Sequence, residues 1–298
     1  MRMSLSKLNE AIFAGIGQGH WDRYKPWLWI RRKNASPVSN QVVAKLPGYS
    51  RGHHFFATSE RILALVVLWL GRGSVDVREQ FPMWPMEHDH PLADSGYWQA
   101  GPAIPGLLDI AAEAGIDHGW CVGAPNIPYV GTMDLMCTIY GKSTASLAAI
   151  SLKPYQKLLA AEPTDRILER HELERRYMKA LSAPWTIVDR SITNITLRAN
   201  LIRAAGAATK TRFELDAQHE DFFRTIERVP EAGFDEAIRL ASVYTGIPRE
   251  SAQEVFFAGA WSGQIDVDLS RPLVGRQPIC IDNGLRARLS QELLGRTL

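Results

Sequence analysis

Cysteine is scarce in this chain, and no apolar run is long enough to cross a membrane. The three cysteines, Cys121, Cys137 and Cys280, stand far apart in 298 residues. Their odd number and wide spacing fit neither a disulfide framework nor a C-x-x-C metal site, so we expect packing residues. The most apolar run, Ile62 to Leu70, has nine residues before Gly71, whereas a membrane-spanning helix needs roughly 20. We therefore expect no membrane segment.

The composition is that of a globular protein. With 46% of its 298 residues hydrophobic, the chain can form about two domains. Its start has no apolar stretch followed by a small-residue cleavage site, so we expect a cytoplasmic protein.

Basic and aromatic residues are concentrated at the start of the chain. Residues 1–51 hold nine Lys/Arg and two Asp/Glu (9 − 2 = +7), which leaves 25 and 30 (25 − 30 = −5) for the rest. Such a mixture suits phosphate contacts and base stacking. The candidates for DNA binding are Arg23, Lys25, Arg31, Arg32 and Lys33, interleaved with Trp21, Tyr24, Trp27 and Trp29. The alternative is an arm that its tryptophans pack onto its own domain, and the sequence does not choose between the two.

Residues 58–128 begin with a helix and a strand. A helix is predicted over 58–70, where Thr58 or Ser59 can cap it. Its buried face is marked by Leu63, Ala64 and Val67. The next segment, 75–81, alternates in polarity as a half-buried strand does. The proline- and glycine-rich stretch 85–128 predicts an irregular insertion.

A β-hairpin is predicted in the middle of the chain. Two apolar runs, 133–140 and 145–153, flank a glycine-containing turn, and counting outward from that turn places Asp134 opposite Ser151. A helix over 163–182 and a strand over 185–188 follow. The order of these elements, helix, strand, hairpin, helix and strand, predicts an α/β core, and we end this domain at residue 194.

After residue 194 the pattern is mainly helical. Two helices, 234–244 and 249–260, flank a turn with Gly246. The alternation of residues 265–269 then resembles one strand of a wing, so we predict a winged-helix-like C-terminal domain over 195–298. A generic helical domain is the alternative. The 13 Lys/Arg and 14 Asp/Glu of this region favour a protein partner over nonspecific DNA binding.

Ionisable residues stand where the apolar pattern predicts burial. Glu60 lies on the apolar face of the first helix, and Glu174 on that of the later helix. Asp134 lies in the first hairpin strand, and Lys153 shares a face of the returning strand with Ser151 because side chains alternate along a strand. Buried charges are costly unless they are paired, so we expect these groups to meet.

Phosphodiester hydrolysis needs such a set. Carboxylates bind divalent ions that polarise the phosphate and activate water, while a lysine stabilises the charge of the transition state. Oxygen ligands favour Mg²⁺, for which Mn²⁺ can substitute, over zinc. For any one of these residues, a half-exposed or salt-bridged structural role is the simpler interpretation.

The chain resembles the PD-(D/E)xK nuclease superfamily and, more narrowly, the TnsA endonuclease subunits of heteromeric transposases. The likeness runs collinearly over residues 15–190. Its segments are Gly17-Gln18-Gly19-His20, Tyr24, Pro26-Trp27-Leu28, His53-His54, Glu60, Val77-Arg78-Glu79-Gln80-Phe81-Pro82, Thr132-Met133-Asp134, Lys153-Pro154, Glu172-Leu173-Glu174-Arg175-Arg176-Tyr177 and Pro184-Trp185.

The resemblance implies a restriction-endonuclease-like core with a mixed sheet and a set of residue roles. Glu60, Asp134 and Lys153 would be catalytic, with Ser151 and Glu174 in support. The metal ligands would be Glu60, Asp134 and the Leu152 carbonyl. We interpret residues 78–80 as a structural or DNA-facing strand near the site, in which Arg78 is a further DNA-binding candidate and Glu79 a further candidate site carboxylate. His53 and His54 would either contact DNA or cap the following helix, and the sequence does not decide between these roles. At position 151 these enzymes commonly have Gln, and the wider superfamily Asp or Glu, so Ser151 predicts weaker metal binding.

The resemblance also implies partners. A subunit of this kind hydrolyses the strand at the 5′ ends of a transposon, while a TnsB-type subunit cuts and joins the 3′ ends. The C-terminal domain would contact a TnsC-type ATP-dependent regulator. Two alternatives stay open: another nuclease of the superfamily, or a catalytically degenerate DNA-binding scaffold.

His88, Asp89 and His90 form a second group of possible metal ligands. No cysteine or third histidine stands at matching spacing, so a solvated loop is favoured over a zinc site.

Overall fold

In a computed structural model, the chain is described at residues 4–30, 40–98, 101–121, 124–153, 165–210, 216–282, 284–296 and 298. The strands of this part are β1 (Val42–Lys45), β2 (Gly52–Phe55), β3 (Val75–Met83), β4 (Trp120–Cys121), β5 (Ala124–Pro128), β6 (Gly131–Tyr140), β7 (Ala145–Leu152) and β8 (Trp185–Val188). Its helices are α1 (Leu5–Phe13), α2 (Thr58–Gly71), α3 (Leu107–Ala114), α4 (Asp165–Ala180), α5 (Ile195–Lys210), α6 (Ala217–Glu227), α7 (Phe234–Thr245), α8 (Arg249–Ser262) and α9 (Leu285–Leu294). None of these helices is long and apolar enough to cross a membrane.

The central sheet is mixed, which confirms the predicted fold class. Its order is β3-β6-β7-β8, and β8 runs parallel to β7 while the other neighbours are antiparallel. The β6–β7 hairpin pairs Leu135 with Ile150 and Tyr140 with Ala145. This is the register that the turn at 141–143 predicted, and it brings Asp134 and Ser151 to the same end of the hairpin.

Helix α2 is buried on all sides rather than along one stripe. It contacts β3 and β6 of the sheet and also α5 and α9 of the C-terminal region, so every residue from Ile62 to Gly71 is buried. The predicted cap was also wrong. The helix begins at Thr58, so its N-cap is Ala57, whose side chain makes no hydrogen bond to the backbone.

Strand β3 is buried along its whole length, so the half-buried strand predicted from its alternation was wrong. Its polar face is covered by the N-terminal segment and the β1–β2 region. The Asp76 carboxylate accepts hydrogen bonds from the Trp21 amide at 3.1 Å and from the Tyr49 hydroxyl at 3.0 Å. Covering both faces requires partners for the polar side chains, and these bonds provide them.

The insertion contains more regular structure than predicted. Helix α3 lies in it, and β4 pairs with β5. The signal for α3 was present in the sequence, because Leu107, Ile110 and Ala111 are all buried and have helical spacing.

The C-terminal region is helical, as predicted. Helices α7 and α8 flank a turn in which Gly246 adopts φ 74°. The predicted wing is reduced to one bridge, Val267 with Ile281, and no strand follows β8 in the described residues. Residues of both halves, such as Leu63 and Leu201, share one hydrophobic cluster, and the boundary at residue 194 stays a prediction.

Candidate active site at the end of the hairpin

The structure brings the predicted site residues together where the hairpin ends. Glu60 lies in the first turn of α2, and Asp134 on β6. Ser151 and Lys153 are at the end of β7, and Glu174 lies in α4, which packs along β8. The site thus lies where one end of the sheet meets two helices. The register of the hairpin places Asp134, Ser151 and Lys153, and the packing of α2 and α4 adds Glu60 and Glu174.

Asp134 and Lys153 form the centre of the site. Lys153 Nζ donates to Asp134 Oδ2 at 2.8 Å, and the Leu152 amide donates to the same oxygen at 2.8 Å. The Lys153 amide donates to the Val188 carbonyl at 2.9 Å, which fixes the strand end. Burial opposes the ammonium charge, but Asp134 and the other site carboxylates raise the pKa of Lys153 above its usual value.

Glu60 is held next to this pair by its own helix start. Its Oε2 accepts the Phe56 amide at 2.9 Å, and only 7% of the residue is exposed. Burial, and then the nearby Asp134 carboxylate, raise the pKa of Glu60 to about 7. A carboxyl group in this state gains by binding a cation.

The Ser151 hydroxyl donates to Glu174 rather than to Asp134. Its Oγ lies 2.5 Å from Glu174 Oε2, which also accepts from Trp185 Nε1 at 3.2 Å. The His171 ring is 3.7 Å from the same oxygen. Burial opposes ionisation of Glu174, but these neighbours and Lys153 hold its pKa below the usual value. His171 was not predicted as a site residue, although it precedes Glu174 by about one helical turn.

Two of the predicted DNA-binding residues are buried. His53 is fully buried and Arg78 is 1% exposed, because His53 lies on the buried face of β2 and both faces of β3 are covered. The Arg78 guanidinium donates to Thr138 Oγ1 at 2.8 Å and lies over the Phe81 ring. These side chains cannot reach DNA in this structure.

The contacts of Glu79 agree with the structural interpretation of its strand and not with a role as a further site carboxylate. It is fully buried, and both of its oxygens accept from the Arg51 guanidinium, at 2.8 and 2.9 Å. The His54 amide donates to the same carboxylate at 3.0 Å. The pair therefore fixes β2, the strand that leads into α2, against β3.

The aromatic residues of the N-terminal arm agree with the packing interpretation. Tyr24 is buried, and the Trp21 ring stacks on Tyr140 at 5.5 Å, so the aromatic residues pack the arm onto the protein. Arg23 and Lys25 are exposed and His54 is half-buried, and DNA binding by these three stays a prediction. Arg31, Arg32 and Lys33 lie outside the described residues.

His88 and His90 are packed, so the solvated loop predicted for them was wrong. His88 Nε2 lies 2.9 Å from the Tyr177 hydroxyl, and His90 Nδ1 accepts the Leu92 amide. Of the three cysteines, Cys137 is buried, whereas Cys121 is half-buried and Cys280 exposed.

Comparison with known proteins supports the motif-based resemblance. No known protein-family profile matches the chain. Over 190 residues, it is 28% identical to the transposon Tn7 transposition protein TnsA of Escherichia coli. The chain is TnsA-like. The match covers 64% of this chain and 59% of TnsA, so the chain spans less than two-thirds of that protein's length.

Glu60 and Asp134 are the two carboxylates of the site that could hold a divalent ion. Within the described ranges, no group of three or more His, Cys, Asp and Glu side chains is arranged to hold a metal ion. Mg²⁺ does not need such a group, since it usually binds one or two carboxylates and completes its octahedron with water and phosphate oxygens. Glu60 and Asp134, which repel each other beside a single lysine, fit this requirement.

The state of Glu60 predicts how stability depends on pH. Its pKa is about 7 in the folded chain against an ordinary 4.5. The raised value contributes stability that is complete below pH 4.5 and lost as pH rises through 7. Without divalent ions, Glu60→Gln should therefore raise the free energy of unfolding on the order of 2 kcal/mol at pH 8, and hardly at all at pH 4.

Urea unfolding at the two pH values measures this effect. The control is Glu113→Gln, at an exposed carboxylate of α3, for which we expect little change at either pH. A loss of stability in Glu60→Gln at pH 8 would contradict this account of the Glu60 environment.

Proposed function

We propose that this TnsA-like chain is a metal-dependent DNA endonuclease subunit of a transposase. In this proposal it hydrolyses the strand at the 5′ ends of a transposon, using Mg²⁺ or, as a substitute, Mn²⁺. The observation that supports it best is the meeting of Glu60, Asp134 and Lys153 at one sheet edge in a chain similar to a transposition protein.

The roles of the residues follow from their positions. Glu60 and Asp134 would hold the cation, with the Leu152 carbonyl as the predicted third ligand. When bound, such an ion polarises the phosphate and makes water a better nucleophile. Lys153, which already lies 2.8 Å from Asp134, would donate to a phosphate oxygen and stabilise its growing negative charge.

Glu174 would act through its neighbours. It binds the Ser151 hydroxyl at 2.5 Å and adds negative charge near Lys153. With a short, neutral serine in the usual place of Gln, Asp or Glu, the carboxylate in contact with the side chain at position 151 is that of Glu174. We propose that Glu174 orients the strand end and helps keep Lys153 protonated.

Partners are part of the proposal. DNA at the transposon ends would be the substrate, a TnsB-type subunit would process the other strand, and a TnsC-type regulator would bind the helical region 195–298. The balance of 13 basic and 14 acidic residues in that region supports a protein contact more than a DNA contact.

One observation favours a second candidate, a DNA-binding scaffold that has lost catalysis. The Ser151 hydroxyl is committed to Glu174, so it offers a weaker ligand than the usual residue. Under this alternative, the site would be a structural ion-pair network, and cleavage would not depend on Asp134.

A strand-specific cleavage map tests the proposal. Full-length protein is combined with TnsB-type and TnsC-type subunits encoded by the same element, on DNA that carries its two ends and a label on each strand. We expect Mg²⁺-dependent cuts in the 5′-end strand only when this chain is present. If those cuts occur equally with an Asp134→Ala variant of the chain, the scaffold is favoured; cuts by the chain alone at sites unrelated to the ends would indicate another nuclease.

A further inference from the structure

A small cleft borders the candidate active site, on the side where the chain enters the C-terminal helical region. Its walls include Ser59 of α2, Leu152 at the end of β7, and Arg190, Thr193 and Arg198 from the β8–α5 connection and the start of α5. Ser59 directly precedes Glu60, and Leu152 directly precedes Lys153. The cleft is therefore next to the site on both the helix side and the sheet side.

Arg190 is positioned by the same strand end that fixes Lys153. The Lys153 amide donates to the Val188 carbonyl at 2.9 Å, and Arg190 follows two residues later in a short 3₁₀ turn. Asp189 caps that turn by accepting the Ser191 amide at 2.9 Å. The backbone at Arg190 is thus fixed, while its side chain is exposed.

Arg198 ties this connection to helix α5. Its Nε donates to Thr193 Oγ1 at 2.9 Å, and its terminal nitrogen donates to the Arg190 carbonyl. Both acceptors are uncharged, so these bonds leave the guanidinium charge uncompensated. Across the described residues, no carboxylate lies within ion-pair distance of Arg190 or Arg198.

The charge of the site makes neighbouring cations necessary for DNA binding. When ionised, Glu60, Asp134 and Glu174 contribute three negative charges against one positive charge from Lys153, a balance of −2. A phosphate backbone is repelled by such a site, and a single divalent ion only brings it to neutrality. Attraction for phosphate must come from arginines or lysines at the edge.

We propose that Arg190, held in place through its backbone by Arg198, binds a phosphate of the DNA strand next to the phosphate that is cut. A guanidinium suits this role because its planar donors match two phosphate oxygens. The inference rests on the proposed function, since it names a substrate contact of the same site, but its test does not require cleavage.

The test is DNA binding by the full chain in an Asp134→Asn background, measured by fluorescence anisotropy with a short end-labelled duplex. Loss of one charged phosphate contact should weaken binding about tenfold at low salt. It should also reduce the slope of log Kd against log salt by about 0.9. We expect both effects from Arg190→Gln, whereas Arg190→Lys should keep the slope.

The matched control is Arg276→Gln, at an exposed arginine of the C-terminal region, which should leave affinity and slope unchanged. The inference is overturned if Arg190→Gln binds like its parent, or if the control loses as much affinity. Because binding is measured without cleavage, failure of the proposed function would instead appear as absent Mg²⁺-dependent cuts with the Arg190 effect intact.

Discussion

Replacing Asp134 by asparagine is expected to lower the rate of Mg²⁺-dependent strand cleavage by about 10³-fold or more, with the fold retained. Asparagine can still accept the Leu152 amide through its carbonyl oxygen, which preserves the hydrogen bond seen at 2.8 Å. It removes the charge that would hold the cation and that pairs with Lys153. Losing a ligand of a catalytic ion removes several kcal/mol of transition-state stabilisation.

Initial rates on strand-labelled DNA, compared at equal concentrations of folded protein, measure this effect. Asp109→Asn, at an exposed carboxylate of α3, is the matched control and should cut at the unmodified rate. Cleavage by the Asp134 variant within tenfold of the unmodified chain would count against a catalytic role and in favour of the scaffold.

The second large effect is expected at Glu79, on stability rather than on chemistry. Glu79→Gln leaves the Arg51 guanidinium, whose side chain is 10% exposed, without its charged partner. Breaking a buried ion pair from one side typically costs about 3–5 kcal/mol. Arg51 keeps its bonds to the Val77 and Trp21 carbonyls, so we expect the lower end of that range.

Urea unfolding at neutral pH gives the measurement, and Glu254→Gln supplies the comparison. Glu254 pairs with Lys210 on the surface, where ion pairs contribute little, so its loss should hardly change stability. If the Glu79 variant is as stable as the unmodified chain but does not cleave DNA, Glu79 would instead act as a carboxylate of the active site.

The order and type of the main elements could be predicted because local patterns determine them. Helical spacing gave α2, α7 and α8, and the turn at 141–143 gave the hairpin with its register. Since register decides which residues share a strand end, the approach of Asp134 to Lys153 followed from the sequence as well.

Burial on both faces could not be predicted, because it depends on distant parts of the chain. The sequence of β3 predicted a half-buried strand, but in the structure the N-terminal segment also covers Asp76. The sequence of α2 predicted one buried face, but α5 and α9 cover its outer side as well. The same coverage removed Arg78 from the surface. A single sequence pattern contains no signal for such tertiary contacts.

Orientation within the site was also beyond the sequence. Ser151 shares a strand face with Lys153, but its hydroxyl donates to Glu174 because α4 brings that carboxylate to 2.5 Å. Helix packing sets this distance, and hairpin periodicity does not. For the same reason His171 and Trp185 entered the site only with the structure.

The most direct test of the central claim is anomalous diffraction from crystals soaked in Mn²⁺, alone and then with a short duplex of a transposon end. We expect a strong peak near the Glu60 and Asp134 carboxylates and no peak in crystals of Asp134→Asn. An empty site at saturating Mn²⁺ with DNA bound, or a peak elsewhere in the chain, would contradict the account of this sheet edge as a nuclease centre.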